Sequence, residues 1–245
     1  MYNVGIIGLG IMGQRMMDAM SAHPNFNIAC IWDLNQELIE RTSMRDPDPV
    51  PVSDADSLLH EILDLVYIAT PPSTHVDYAR RALDKNIAIF CEKPLAIDIR
   101  ESQQLVKDVQ AGGISNAINF PFASDLNIRT LEEEVRSGLH GEPERVEIRF
   151  HFNAWPRTWQ RGAASWLAGR AEGGFLREVF SHFIYLTHRV LGPMKLENAR
   201  VTFPNDTNVA EIKAWAQFLA NGVPVNMWGA VGGAAPDFNE WTLYG

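Results

Sequence analysis

Short apolar runs alternate with amphipathic stretches over the first half of this 245-residue chain, in the rhythm that βαβ units impose on a parallel sheet. Strands are predicted at Tyr2–Ile7, Asn27–Trp32, Leu65–Thr70, Ile87–Phe90 and Gly113–Asn119. Helices are predicted at Ile11–Ala22, Asn35–Thr42, Asp54–Ile62, Ser73–Leu83 and Asp98–Val109. Ser53, Ser73 and Asp98 stand at the expected N-cap positions, where a side-chain oxygen accepts a first-turn N–H. Right-handed crossovers then put helices on both faces of the sheet, giving a doubly wound α/β domain.

After about Phe120 the rhythm changes. A helix (Ile128–Ser137), an alternating strand (Arg145–Phe152), an aromatic segment (Trp155–Trp166) and a helix (Phe175–Leu191) precede three strand-like runs, Leu196–Phe203, Val209–Leu219 and Val223–Val231. Asn, Asp, Gly and Pro turns join these runs, so the second half reads as α+β with a mainly antiparallel sheet. The domains are therefore expected at 1–119 and 120–245.

Apolar residues make up 46% of the chain, enough for two cores. The net charge of −9 argues against a nucleic-acid or anionic-membrane surface, although backbone dipoles can still hold a small anion. No run approaches the length of a membrane span. The apolar start, Val4–Met12, lacks the basic flank of a signal peptide and is broken by glycines. Cys30 and Cys91 both sit in apolar runs and read as core thiols, with no metal-binding spacing. A cytoplasmic protein is expected.

The first candidate chemistry is Gly8-Leu9-Gly10-Ile11-Met12-Gly13, which follows a strand and opens a helix. Gly8 permits the turn, Gly10 lets backbone approach a pyrophosphate, and Gly13 allows close helix–strand packing, with Ile11 and Met12 in the phosphate-facing first turn. A chance glycine-rich turn is the alternative. Asp33, at the end of the second strand, argues against it, because a carboxylate there accepts hydrogen bonds from an adenosine ribose and repels a 2′-phosphate. NAD is favoured; Arg41 leaves NADP open, and FAD fits less well.

Thr70-Pro71-Pro72-Ser73-Thr74-His75 and Glu92-Lys93-Pro94 follow two of the strands, and with them the sequence resembles the glucose-fructose oxidoreductase / inositol dehydrogenase / MocA family. The resemblance spans essentially the whole chain, with the Glu-Lys-Pro tripeptide as its most specific mark. It implies an NAD(P)-dependent oxidoreductase acting on sugars, inositols or related polyols and sugar acids, with an open-faced sheet in the second domain. Ligands of open α/β sheets sit beyond the carboxyl ends of the strands, which places Thr70, Pro71, Pro72, His75, Glu92 and Lys93 near a cofactor. Lys93 is the candidate to hydrogen-bond the reacting hydroxyl; its alternative is a structural ion pair with Glu92. The resemblance also implies a cis peptide before Pro94. A capping role fits His75 nearly as well as a nicotinamide contact.

In the second domain, Gly173-Gly174-Phe175-Leu176-Arg177-Glu178-Val179-Phe180-Ser181-His182 is similar to the family's glycine-rich segment and the helix after it. A spacing of four puts Glu178 and His182 on one helix face. His182 is the implied general base and Glu178 its partner, with an exposed Glu–His pair as the alternative. Glu178 stands where the family pattern has Asp, and Phe180 where it has Gly. Near Asn119, a candidate substrate contact, Pro121 stands where many relatives carry Arg or Lys. Trp155, Arg157, Trp159 and Gln160 suit a sugar or carboxylate but admit a core reading equally.

Two other functions stay open at this point: an NAD-retaining, redox-assisted hydrolase or isomerase, and a non-enzymatic dinucleotide-binding regulator. The resemblance further implies self-association through the open sheet. It also implies additional residues beyond Gly245, where the chain stops inside a strand-like run.

Overall fold

β-Branched and aromatic residues dominate the runs that build the first sheet, and those of its central strands are largely covered on both faces. The computed structural model describes Met1–Gly245. It forms two compact units, Met1–Asn119 and Phe120–Gly245.

In the first unit, β1 (Tyr2–Ile7), β2 (Phe26–Trp32), β3 (Val50–Pro51), β4 (Leu65–Ile68), β5 (Ala88–Glu92) and β6 (Asn116–Asn119) form one sheet in the order β3-β2-β1-β4-β5-β6. All pairings are parallel. Helices α1 (Ile11–Ser21), α2 (Gln36–Arg45), α3 (Ala55–His60), α4 (His75–Asp84) and α5 (Ile99–Gly112) connect them. This is the Rossmann strand order, with its reversal between β1 and β4. Val4, Ile6, Ile31 and Tyr67 pack with Met17 and Met20 of α1, while Ile7, Val66, Ile68, Ile89 and Cys91 pack with Leu58, Ala79, Leu105 and Val109. Burial on both faces explains why these strands read as continuous apolar runs.

Local chemistry moved several expected boundaries. Asp54, not Ser53, caps α3, accepting the Ser57 N–H at 2.7 Å. Ser73 lies inside a 3₁₀ turn, Pro72–Thr74, begun by a proline that lacks an N–H, so Thr74 takes the N-cap position and α4 starts at His75. Gly113 is the left-handed C-cap of α5 (φ 67°), so β6 starts at Asn116. The two-residue β3 is too short to show a period.

The second unit contains α6 (Leu126–Ser137), β7 (Arg145–Phe152), α7 (Ala164–Leu167), α8 (Ser181–Leu191), β8 (Met194–Thr202), β9 (Lys213–Ala220), β10 (Val223–Val231) and β11 (Phe238–Tyr244). Its sheet runs β11-β7-β10-β9-β8 and is antiparallel except for the β10–β7 pair. Val146, Ile148, Phe150, Val225 and Met227 face inward against Phe183, Leu186 and Leu191 of α8. Small residues make room for the large ones: a Cβ on Gly229 would stand 2.7 Å from the ring of Phe175. The predicted strand from Val209 begins at Lys213 instead, because Val209 forms a lone bridge with Gly169 and Glu211 turns inward. No helix is long and apolar enough to cross a membrane.

Candidate nucleotide and catalytic sites

In the first unit, the glycine loop is constrained from two sides. Gly8 has φ +100°, and a Cβ there would lie 2.6 Å from the backbone of Ala69. A Cβ on Gly13 would lie 2.0 Å from the carbonyl oxygen of Gly8, so α1 and the loop touch backbone to backbone. Gly10 differs, with nothing within 4 Å of its Cβ position. Gly10 is the N-cap of α1 and offers no side-chain bond, and the first turn has no acidic residue, whereas Asn35, Asp54 and Asp98 cap α2, α3 and α5. The first turn, with Ile11, Met12 and Gly13, thus offers its N–H groups and the positive end of the helix dipole, which fits a pyrophosphate. Asp33 braces the loop: Oδ2 accepts the Leu9 N–H at 2.7 Å and Oδ1 the Asn35 N–H at 2.7 Å.

The loops after β4 and β5 are joined by a buried imidazole. His75 is wholly inaccessible, and its Nδ1 and Nε2 each lie 2.8 Å from a carbonyl oxygen, of Pro94 and Thr70 respectively. Burial holds its pKa below the usual histidine value, and the two carbonyls only partly offset that. Thr70 is further held by the Thr74 hydroxyl at 2.7 Å. Glu92 is buried too; one carboxylate oxygen accepts from the Tyr67 hydroxyl and, at 2.7 Å, from the Asn119 amide. Three residues expected at the cofactor, Pro72, His75 and Glu92, therefore lie inside the domain and support its loops. Pro71, Asn119 and Lys93 are half-buried, and the Lys93–Pro94 peptide is cis.

In the second unit, Gly173 and Gly174 lead into a helix that does not begin as an α-helix. Leu176–Phe180 form a π turn, whose backbone bonds reach one residue further than α-helical ones, before α8 continues. The simple four-residue alignment expected of Glu178 and His182 is corrected accordingly, because the turn between them is wider. Both side chains are half-buried. The His182 ring stands edge-on to Phe120 and Phe122, with centroids 5.7 and 6.0 Å away. Phe120 stacks on Tyr185 at 4.6 Å. Arg189 holds this corner, reaching Glu132 through two nitrogens and the carbonyls of Phe122 and Ala123 through a third.

The aromatic segment divides by role. The Trp155 indole donates to the carbonyl of Leu167 at 2.9 Å and packs on Phe152 and Phe175. Gln160 is buried and accepts from the backbone N–H and the Nε of Arg157, at 3.1 and 3.2 Å. The core reading therefore holds for Trp155 and Gln160. Arg157 is half-buried beside the rings of Phe152 and Trp159, and Trp159 is 49% exposed. Reading the sequence did not single out Phe122, Tyr185, Arg189 or Glu211. The i,i+3 spacing of His182 and Tyr185 was the one available signal.

The loop, the uncapped helix and the strand order define a dinucleotide-binding Rossmann domain followed by an α+β domain. Residues 2–115, the first of the two units, match the model of the oxidoreductase family with an NAD-binding Rossmann fold, GFO_IDH_MocA. It is 26% identical over 145 residues to the uncharacterized oxidoreductase YrbE of Bacillus subtilis, covering 59% of this chain and 42% of that protein. It is 25% identical to the 2,7-anhydro-N-acetylneuraminate hydratase of Escherichia coli, covering 71% of this chain and 45% of the relative. The chain thus matches less than half the length of either protein. Among solved structures, an oxidoreductase from Agrobacterium radiobacter in complex with NAD+, L-tartaric acid and magnesium shares the fold across the whole chain. Its TM-score is 0.87 at 18% identity, and 72% of that protein is covered.

Proposed function

We propose that this chain is an NAD-dependent dehydrogenase for a sugar, inositol or related polyol or sugar acid. The observation that carries the reading is the uncapped first turn of α1 beside an Asp33 that is already bonded to the glycine loop. Inositol 2-dehydrogenase of Rhizobium meliloti, 27% identical over 144 residues, supports the substrate class.

Bound nicotinamide supplies the acceptor or donor of a hydride. The protein's part begins with the first turn of α1, which holds the phosphates, and with Asp33, whose charge favours a free ribose over a 2′-phosphate. Lys93 hydrogen-bonds the reacting hydroxyl and stabilises its developing negative charge. His182 takes the hydroxyl proton as the carbon–hydrogen pair leaves as hydride and the C=O bond forms; Phe120 and Phe122 keep its ring oriented. Glu178 polarises the neighbouring groups. Arg157 and Trp159 recognise hydroxyls or a carboxylate of the substrate, and Asn119 contributes a polar contact. With Cys30 and Cys91 buried as free thiols, the proposed compartment is the cytoplasm.

The test is reduced-nicotinamide absorbance with NAD and NADP over a panel of inositols, neutral sugars and sugar acids. Turnover favouring NAD that is lost in Lys93→Ala and falls at least about a hundredfold in His182→Asn supports the reading. Turnover unchanged in both variants overturns the assignment. The hydratase relative favours one other reading, a redox-assisted reaction with retained NAD; cofactor that co-purifies stoichiometrically and a silent absorbance panel would select it.

Self-association through the second sheet is also proposed. Its outer face carries a transverse row, Arg200, Trp215, Trp228, Arg149 and Glu240, in cross-strand register, with both tryptophans exposed. Exposed paired tryptophans on an uncovered sheet face suit a partner of the same kind. Trp228→Glu is expected to lower the sedimentation mass of the protein; an unchanged mass removes the proposal.

A further inference from the structure

Glu211 was invisible to sequence reasoning, yet it is among the most buried carboxylates of the molecule, at 7% exposure. It precedes β9, and one of its oxygens accepts the N–H of Leu176 at 2.7 Å, the first residue of the π turn. Its carboxylate also packs directly on Gly174, whose missing side chain makes the approach possible. A Cβ there would lie 2.4 Å from one carboxylate oxygen, and the residue has φ +99°.

The other side of the turn is equally closed. The Gly174 N–H donates to the carbonyl of Leu167 at 3.0 Å, and a Cβ on Gly173 would stand 2.2 Å from that same oxygen. Arg177, whose positive charge acts on the Glu211 carboxylate, spans the turn by donating to the carbonyls of Arg170 and Gly173. The Gly-Gly turn is therefore gripped between the Leu167 backbone and the Glu211 carboxylate. The helix that issues from this grip carries Glu178 and His182.

We infer that Glu211 is a positioning residue for the catalytic helix: its carboxylate fixes the first π-turn N–H and so sets the rotation at which Glu178 and His182 are presented. The inference rests on the assignment of His182 as general base. The carboxylate provides an acceptor where helix starts lack partners, and it complements the positive end of the helix dipole. The π turn adds a residue to the register, so a shift at Leu176 is passed on to the residues that follow.

The test uses the full chain labelled at histidine Cε1 and follows the His182 imidazole by NMR, its resonance assigned by its loss in His182→Asn. Glu211→Gln keeps an acceptor oxygen in place and is expected to leave the His182 titration and turnover close to those of the parent. Glu211→Asp keeps the charge but withdraws it by one methylene. It is expected to move the His182 midpoint by about half a pH unit or more. It is also expected to lower kcat at least about tenfold without changing KM for NAD.

If Glu211→Asp leaves both the His182 titration and kcat unchanged while only thermal stability falls, the carboxylate is structural and the inference is overturned. If Glu211→Gln fails to restore what Glu211→Asp loses, the hydrogen bond to Leu176 is not the link, which also overturns it. A His182→Asn variant that still turns over would instead refute the general-base assignment. The imidazole titration still tests the positioning in that case.

Discussion

The buried Tyr67 hydroxyl donates to the carboxylate of Glu92 in the first domain, and Asn119 donates to the same oxygen from the neighbouring strand. One carboxylate thereby ties β4, β5 and β6 together one residue before Lys93. Burial and the adjacent carboxylate push the Tyr67 phenol well above its usual pKa, so it remains a donor at every working pH. Tyr67→Phe removes one of two donors from a buried carboxylate and is expected to cost roughly 1–3 kcal/mol in urea unfolding. Glu92→Gln retains an acceptor for both donors and should cost less. A larger loss in Glu92→Gln than in Tyr67→Phe would show that charge, not hydrogen bonding, holds the brace.

Gly10 and Gly13 separate binding from folding. Gly10 has open space at its Cβ position and an ordinary φ of −68°, so Gly10→Ala should fold with nearly parental stability. Its methyl group would nevertheless stand where the phosphates approach, and NAD affinity by calorimetry should fall at least about tenfold. Gly13→Ala pushes a Cβ to 2.0 Å from a backbone oxygen, and stability itself should drop by roughly 1–3 kcal/mol, as overpacking does. Gly10→Ala with full NAD affinity would remove the phosphate assignment.

His75 makes the first domain sensitive to acid. An unfolded imidazole titrates near about 6.5, and burial holds the folded value lower. The stabilising contribution is therefore complete above the unfolded value and is lost as pH falls through the folded one, because the unfolded state binds the proton more tightly. His75→Gln has an amide that can donate to the Thr70 and Pro94 carbonyls without titrating. Denaturation midpoints between about pH 7 and 5 should fall less steeply in this variant than in the parent. Parallel slopes would exclude His75 as the titrating group.

These particular residues show what a single sequence could and could not disclose. The glycine loop, Asp33 and the buried strands were legible because their signals are local: spacing, a preceding strand and unbroken apolarity. His75 and Glu92 were placed in their loops, but their burial was not legible, since a motif fixes position along the chain and not the direction of a side chain. The π turn at Leu176–Phe180 leaves no mark in a hydrophobic period that fits an α-helix almost as well. Glu211 and Arg189 act on partners 35 and 57 residues away, and no periodicity reaches across such separations.

Arg189 supplies the last prediction. Its Nε and one terminal nitrogen meet the two carboxylate oxygens of Glu132, while the other terminal nitrogen donates to the carbonyls of Phe122 and Ala123 at 3.1 and 2.9 Å. The pair is only 21% and 13% exposed, so solvent screening is weaker than for the surface ion pairs of this chain. A lysine cannot reproduce the planar fork, which makes Arg189→Lys a disruptive change. It is expected to cost roughly 1.5–3 kcal/mol, the range for hydrogen bonds to charged groups. Because the guanidinium also holds Phe122 against His182, the same variant should broaden or shift the His182 imidazole resonance, whereas Glu132→Gln should do so less. In a double-mutant cycle the Arg189 and Glu132 substitutions should couple by more than about 1 kcal/mol. Strict additivity would mean that the carbonyl contacts, not the ion pair, anchor this corner.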